Sequence, residues 1–170
     1  DLGAVWILVL KADGTVKGEY KISKKDDHLV AKLDEQDLFG WDVDGIGDLD
    51  EDGVPDIAVS APNDDDGDSQ DRGAFYVLFL NPDGSVKAEK KVSDSAGSFD
   101  GNLDPRDWFG NSVAALGDLD GDGVTEIAAG TPGTDDGAGV DTGAIWNLFL
   151  EGPQVLCGDA DSSGAVSSTD

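Results

Sequence analysis

Gly73-Ala-Phe-Tyr-Val-Leu-Phe-Leu80 is the stretch on which the fold turns. It is short, apolar and rich in aromatic and β-branched residues, which reads as a strand covered on both faces. It occurs three times. Gly3-Ala-Val-Trp-Ile-Leu-Val-Leu10 lies 70 residues earlier and Gly143-Ala-Ile-Trp-Asn-Leu-Phe-Leu150 lies 70 residues later. The chain between keeps the same period without a gap. Asp13-Gly14 matches Asp83-Gly84, Phe39-Gly40 matches Phe109-Gly110, and Gly47-Asp-Leu-Asp50 matches Gly117-Asp-Leu-Asp120. Roughly 30 of the 70 paired positions are identical, enough to imply stacked units that share a core.

Each unit reads as β. Asp13-Gly14 and Asp83-Gly84 supply hairpin turns, because glycine tolerates positive φ. Val16 to Ser23 and Val86 to Ser93 alternate apolar with charged residues, the pattern of a half-exposed return strand. Phe39 to Gly47 and Phe109 to Gly117 are expected to form another strand, and Asp56 to Ser60 and Glu126 to Gly130 a short one. No stretch shows helical periodicity longer than a turn.

The candidate chemistry sits between the last two of these. Asp48-Leu-Asp50-Glu-Asp52-Gly53-Val54-Pro-Asp56 has the form D-x-D-x-D-G-x-x-D, and Asp118-Leu-Asp120-Gly-Asp122-Gly123-Val124-Thr-Glu126 repeats it. Calcium takes about six to eight oxygens in a flexible shell. Carboxylates at the first, third and fifth positions converge only if the chain curls tightly, which the glycine at the sixth permits. The carbonyls of Val54 and Val124 can add a donor, and the acid at the ninth position closes the shell. Without a cation, so many carboxylates would repel one another. Magnesium fits less well, since it demands a smaller octahedron and keeps its waters. Asp-Gly clusters also serve as plain turns. Two at one place in a repeat favour metal. A third loop, Asp159-Ala-Asp161-Ser-Ser163-Gly-Ala165 onward to Asp170, has EF-hand spacing, with Asp in place of the usual Glu at the twelfth position.

Composition narrows the partners. Eleven basic against 37 acidic residues give a formal charge of −26. Such a surface repels nucleic acid and anionic lipid and attracts cations. A salt-adapted surface would carry similar charge, but it does not require tight Asp-x-Asp clusters. The single cysteine, Cys157, excludes an internal disulfide, and one Cys with one His, His28, cannot build a structural zinc site. No apolar run is long enough to span a membrane. The chain opens directly on a strand-like segment, which we read as a mature or excised piece. No nucleophile–base pair is legible, so no enzyme is expected. Asp64-Asp65-Asp66 and Asp135-Asp136 are expected at solvated loop tips.

Phe39-Gly40 with Ser60-Ala-Pro62, and Phe109-Gly110 with Gly130-Thr-Pro132, each enclosing an acidic loop, resemble the FG-GAP repeats of integrin α propellers and of large secreted bacterial proteins. The resemblance implies an all-β fold of four-stranded antiparallel β-propeller blades, with calcium between the first two strands of each. Its implied ligands are Asp48, Asp50, Asp52 and Asp56, then Asp118, Asp120, Asp122 and Glu126. Residues 1–38 would end a preceding blade, 39–108 form one repeat, and 109–152 form an incomplete second. Residues 153–170 are similar to the first half of a dockerin. About two and a quarter repeats cannot close a ring alone. Trp6 and Trp146 are expected in the core, and Trp41 and Trp108 over blade edges. The expected function is an extracellular or cell-surface, calcium-stabilised structural or adhesion protein, assembling through shared strands with other copies or further repeats. The competing expectation is a protein- or glycan-binding module of a secreted, dockerin-bearing polysaccharide-degrading protein.

Overall fold

The computed structural model describes residues 3–26, 29, 33–65, 71–135 and 142–151. Among these residues nine strands form three antiparallel sheets. β1 (Val5–Leu10) pairs with β2 (Val16–Ile22). β3 (Val43–Gly47), β4 (Asp56–Ala61), β5 (Ala74–Leu80) and β6 (Val86–Val92) form a complete four-stranded blade in that order. β7 (Val113–Gly117), β8 (Glu126–Thr131) and β9 (Ala144–Leu148) form three strands of the next. The one helical element among the described residues is a 3-10 turn at Lys24–Asp26. The architecture is the expected run of open propeller-type blades. The strand expected over Phe39 to Gly47 is shorter, beginning at Val43, and Phe39 makes only an isolated parallel bridge to Gly3.

That bridge and its copy, Gly73 to Phe109, join successive blades. The approach is so close that only glycine fits. A Cβ on Gly73 would lie 2.3 Å from the Phe109 carbonyl oxygen, and the residue holds φ of +87°. The phenylalanine then enters the core. Phe39 meets Tyr76 edge to face at 5.7 Å, and Phe109 stacks on Phe99 at 4.7 Å.

β5 shows why its sequence is almost wholly apolar. Tyr76 and Leu78 point into the core shared with β1–β2, while Phe75 and Val77 point into the core shared with β7–β9. The same pattern is only half covered in its two copies. On β1, Val5 packs inward, but Trp6 is 51% exposed and Leu8 and Leu10 are exposed with it. On β9, Trp146 and Leu148 pack against the middle blade, but Ile145 is 75% exposed. The core placement expected for Trp6 is therefore corrected: its face of β1 has no sheet against it among the described residues. Trp41 is exposed and Trp108 half-buried.

Carboxylates also hold one blade to the next. Asp42 Oδ2 accepts from the Val113 amide at 2.9 Å and Asp44 Oδ2 from the Ala115 amide at 2.8 Å. Their other oxygens accept from the Val43 and Gly45 amides. Two side chains thus satisfy amides of both β3 and β7.

Candidate metal centre

The two acidic loops lie where expected, between β3 and β4 and between β7 and β8. Hydrogen bonds to its own amides curl each loop. Asp48 accepts from Asp52 and Gly53 at 3.0 and 2.7 Å, and Asp52 accepts from Val54 at 2.9 Å. In the second loop Asp118 accepts from Gly121 and Gly123 at 2.6 and 3.0 Å, and Asp122 from Val124 at 2.8 Å. Gly53 and Gly123 hold φ near +90°, which the curl needs.

Oxygens of Asp48, Asp50 and Asp56 lie within 4.8 Å of one another, as do those of Asp118, Asp120 and Asp122. The closing acids differ. Asp56 is fully buried and accepts from the Leu49 and Leu80 amides at 2.9 and 3.0 Å. Burial pushes its carboxyl above the usual range, the two amides oppose this, and the neighbouring Asp50 and Asp48 carboxylates push it further up. Glu126 is equally buried, and its Oε2 accepts from the Leu119 amide at 2.5 Å. Its Oε1 is buried without a hydrogen-bond donor, as is Asp50 Oδ1. The first trio, which contains the orphaned Asp50 Oδ1, is a donor set suited to a hard divalent cation; the second gathers three exposed carboxylates, and Glu126 is not grouped with them. Val54 and Val124 occupy their expected loop positions, and Asp159, Asp161, Ser163, Ala165 and Asp170 lie outside the described residues, as do Cys157 and His28.

Asp52 is the exception in the first loop. It pairs with Lys87 on β6, whose Nζ also lies 2.6 Å from Asp50 Oδ2. The hydrogen bond from Lys87 draws the Asp52 carboxyl below its usual range, and the Asp50 and Asp52 carboxylates raise the lysine above its own. Sequence reading missed this lysine, although Lys17 stands at the matching place one repeat earlier.

Asp64 also departs from expectation. It is buried rather than at a solvated tip, accepting from the Tyr76 hydroxyl at 2.7 Å and from Lys91 at 2.6 Å. Asp65 and Asp135 are exposed, and Asp66 and Asp136 are outside the described residues. Asp37 was missed altogether. It is buried and accepts from the Asp34 amide at 2.6 Å. Burial, with the Asp64, Asp34 and Asp65 carboxylates nearby, pushes it up to about 6. Its copy Asp107 is likewise buried and raised, above all by burial. Asp34-x-x-Asp37 and Asp104-x-x-Asp107 repeat in register, a signal the sequence did carry.

The FG-GAP repeat family matches residues 39–78 and 109–148. Each match runs from the bridging phenylalanine through the acidic loop to the central apolar strand. The chain is 39% identical to integrin alpha-PS5 of Drosophila melanogaster over 102 residues, covering 60% of this chain and 9% of that one. It is 35% identical to integrin alpha-7 of Homo sapiens over 123 residues, covering 72% and 10%. It is 29% identical to integrin alpha-5 of Xenopus laevis over 143 residues, covering 79% and 13%. The chain thus spans about a tenth of the length of these relatives. Among the described residues no helix is long and apolar enough to cross a membrane. The two units built on Phe39 and Phe109 match the FG-GAP repeat and are similar to integrin α chains.

Proposed function

We propose that this chain is part of an extracellular or cell-surface propeller scaffold, adhesive or ligand-binding, whose blades are clamped by calcium at the two repeat loops. The observation that carries the proposal is the pair of gathered carboxylate trios at equivalent places in successive blades. The ligands would be Asp48, Asp50, Asp52, the Val54 carbonyl and Asp56, then Asp118, Asp120, Asp122, the Val124 carbonyl and Glu126. In a third site, Asp159, Asp161, Ser163, the Ala165 carbonyl and Asp170 would serve. Extracellular modules bind calcium at about 10⁻⁴–10⁻³ M, which matches its concentration outside cells. Free ion at about 100 times Kd would stabilise each site by roughly 2.7 kcal/mol. The role is structural rather than enzymatic.

Exposed apolar residues on the outer faces of the flanking sheets (Trp6, Leu8 and Leu10, then Ile145) support stacking against further blades, supplied by a longer chain or by other copies. Similarity to integrin α chains favours protein partners, with glycan as the alternative.

The test is thermal unfolding and particle size with and without chelation. EDTA should lower the melting temperature, and calcium rather than magnesium should restore it. Unchanged melting across these conditions would overturn the calcium assignment and leave the loops as solvated turns.

A further inference from the structure

Lys87 occupies an unusual place in the sheet. On β5–β6, Phe79 pairs with Ala88 and Leu80 pairs with Val86, so Lys87 is the extra residue of a β-bulge. A bulge re-aims a side chain. Here the same distortion serves the acidic loop twice. The Leu80 amide goes to Asp56 Oδ1 at 3.0 Å, and the Lys87 ammonium reaches the Asp50 and Asp52 carboxylates. Lys17 holds the matching bulge position on β2, between Val16 and Gly18 in the register.

Among the described residues no such cation pairs with the second loop. The position 70 residues after Lys87 is Cys157, and no lysine or arginine follows Arg106 in this chain. The carboxylate groupings differ accordingly. Asp122 gathers with Asp118 and Asp120, whereas its counterpart Asp52 is turned to Lys87 and the first trio is completed by Asp56.

We infer that Lys87 is a tethered counter-cation of the first loop, which calcium must displace from Asp50 and Asp52 before that loop can close around it. Resting on the calcium assignment above, this makes the two repeats unequal. The first loop is partly neutralised when empty and binds calcium more weakly. The second is unneutralised when empty and fills first. A monovalent ammonium and a divalent ion within one loop repel each other, and the lysine also competes for the same oxygens. Together these effects weaken binding at the first loop by about tenfold.

Calorimetric calcium titration of the full chain tests this, using Asp118→Asn to silence the second loop and Lys87→Gln on that background. With Asp159→Asn added to silence the proposed third site, Lys87→Gln should tighten the first-loop site about tenfold. Lys90→Gln, an exposed lysine on the same strand that changes net charge equally, should leave it unchanged. A second readout needs no silenced loop. In EDTA, Lys87→Gln alone should lower the melting temperature, and calcium should then raise it by more than in the parent chain. If the parent chain takes up no calcium, the calcium assignment itself fails, and this inference with it. If the parent binds but Lys87→Gln leaves the first site unchanged or weaker, the calcium assignment stands and the counter-cation role is refuted.

Discussion

Replacing Asp56 by alanine separates what the first loop does for the fold from what it does for a metal. The Asp56 carboxylate is fully buried and accepts two amides, from Leu49 in its own loop and from Leu80 at the end of β5. Hydrogen bonds to a charged acceptor contribute about 1.5–3 kcal/mol each, and the change would leave a buried Leu80 amide unpaired. Burial of the carboxylate, which raises its pKa, offsets part of this. The net loss should be about 3 kcal/mol without any calcium present. Asp48→Ala removes an exposed carboxylate that only organises the local curl, so it should cost about 1 kcal/mol in EDTA. In calcium both variants should lose more. Each removes a proposed ligand and should also abolish the calcium-induced gain at that loop, roughly 2.7 kcal/mol at 100 times Kd. Urea unfolding of both variants in EDTA and in calcium measures all four quantities. Equal losses for the two variants in EDTA would refute the view that Asp56 ties the loop to β5.

Two further predictions concern the frame around the loops. Asp37 binds its proton more tightly folded than unfolded, being raised from 3.8 to about 6, so stability falls as pH rises from about 4 to 6. In calcium-free buffer Asp37→Asn should therefore gain on the parent across that window, by on the order of 3 kcal/mol above pH 6; a pH-independent difference in denaturant unfolding would contradict this. Gly73→Ala drives a Cβ into the Phe109 backbone and should cost about 3 kcal/mol or more, whereas Gly14→Ala, with open space but the same positive φ, should cost about 1–2 kcal/mol. Equal melting temperatures for these two variants would show that the blades do not depend on the close approach.

Much of the fold was legible because the repeat makes each element state its case more than once. The apolar strand, the Asp-Gly hairpin turn and the acidic loop all recur at one offset, and the structure places them in equivalent sheets. Coverage of each strand was not legible. Val5-Trp6-Ile7-Leu8 and Phe75-Tyr76-Val77-Leu78 follow one pattern, yet Tyr76 is buried and Trp6 is half open. A side chain's pattern records which way it points, and its burial depends on whether another sheet stands there.

The acidic residues divide along the same line. Spacing within a loop identified Asp48, Asp50 and Asp56 as neighbours, because a tight curl is a local property. Asp42, Asp44, Asp64 and Lys87 find their partners 12 to 71 residues away, across strands or across blades, and no local spacing encodes that. Departures between repeats carry this longer-range information. Asp42 and Asp44 become Ser112 and Ala114, while Lys87 becomes Cys157. Shared positions therefore describe the blade, and differing positions describe how one blade is joined to its neighbour and how its loop is charged. By that logic the middle blade is the more self-contained of the two repeats. It holds its neighbour through Asp42 and Asp44, and it offsets part of the charge of its own acidic loop through Lys87. The second repeat, with neither device in this chain, should depend more heavily on an external cation.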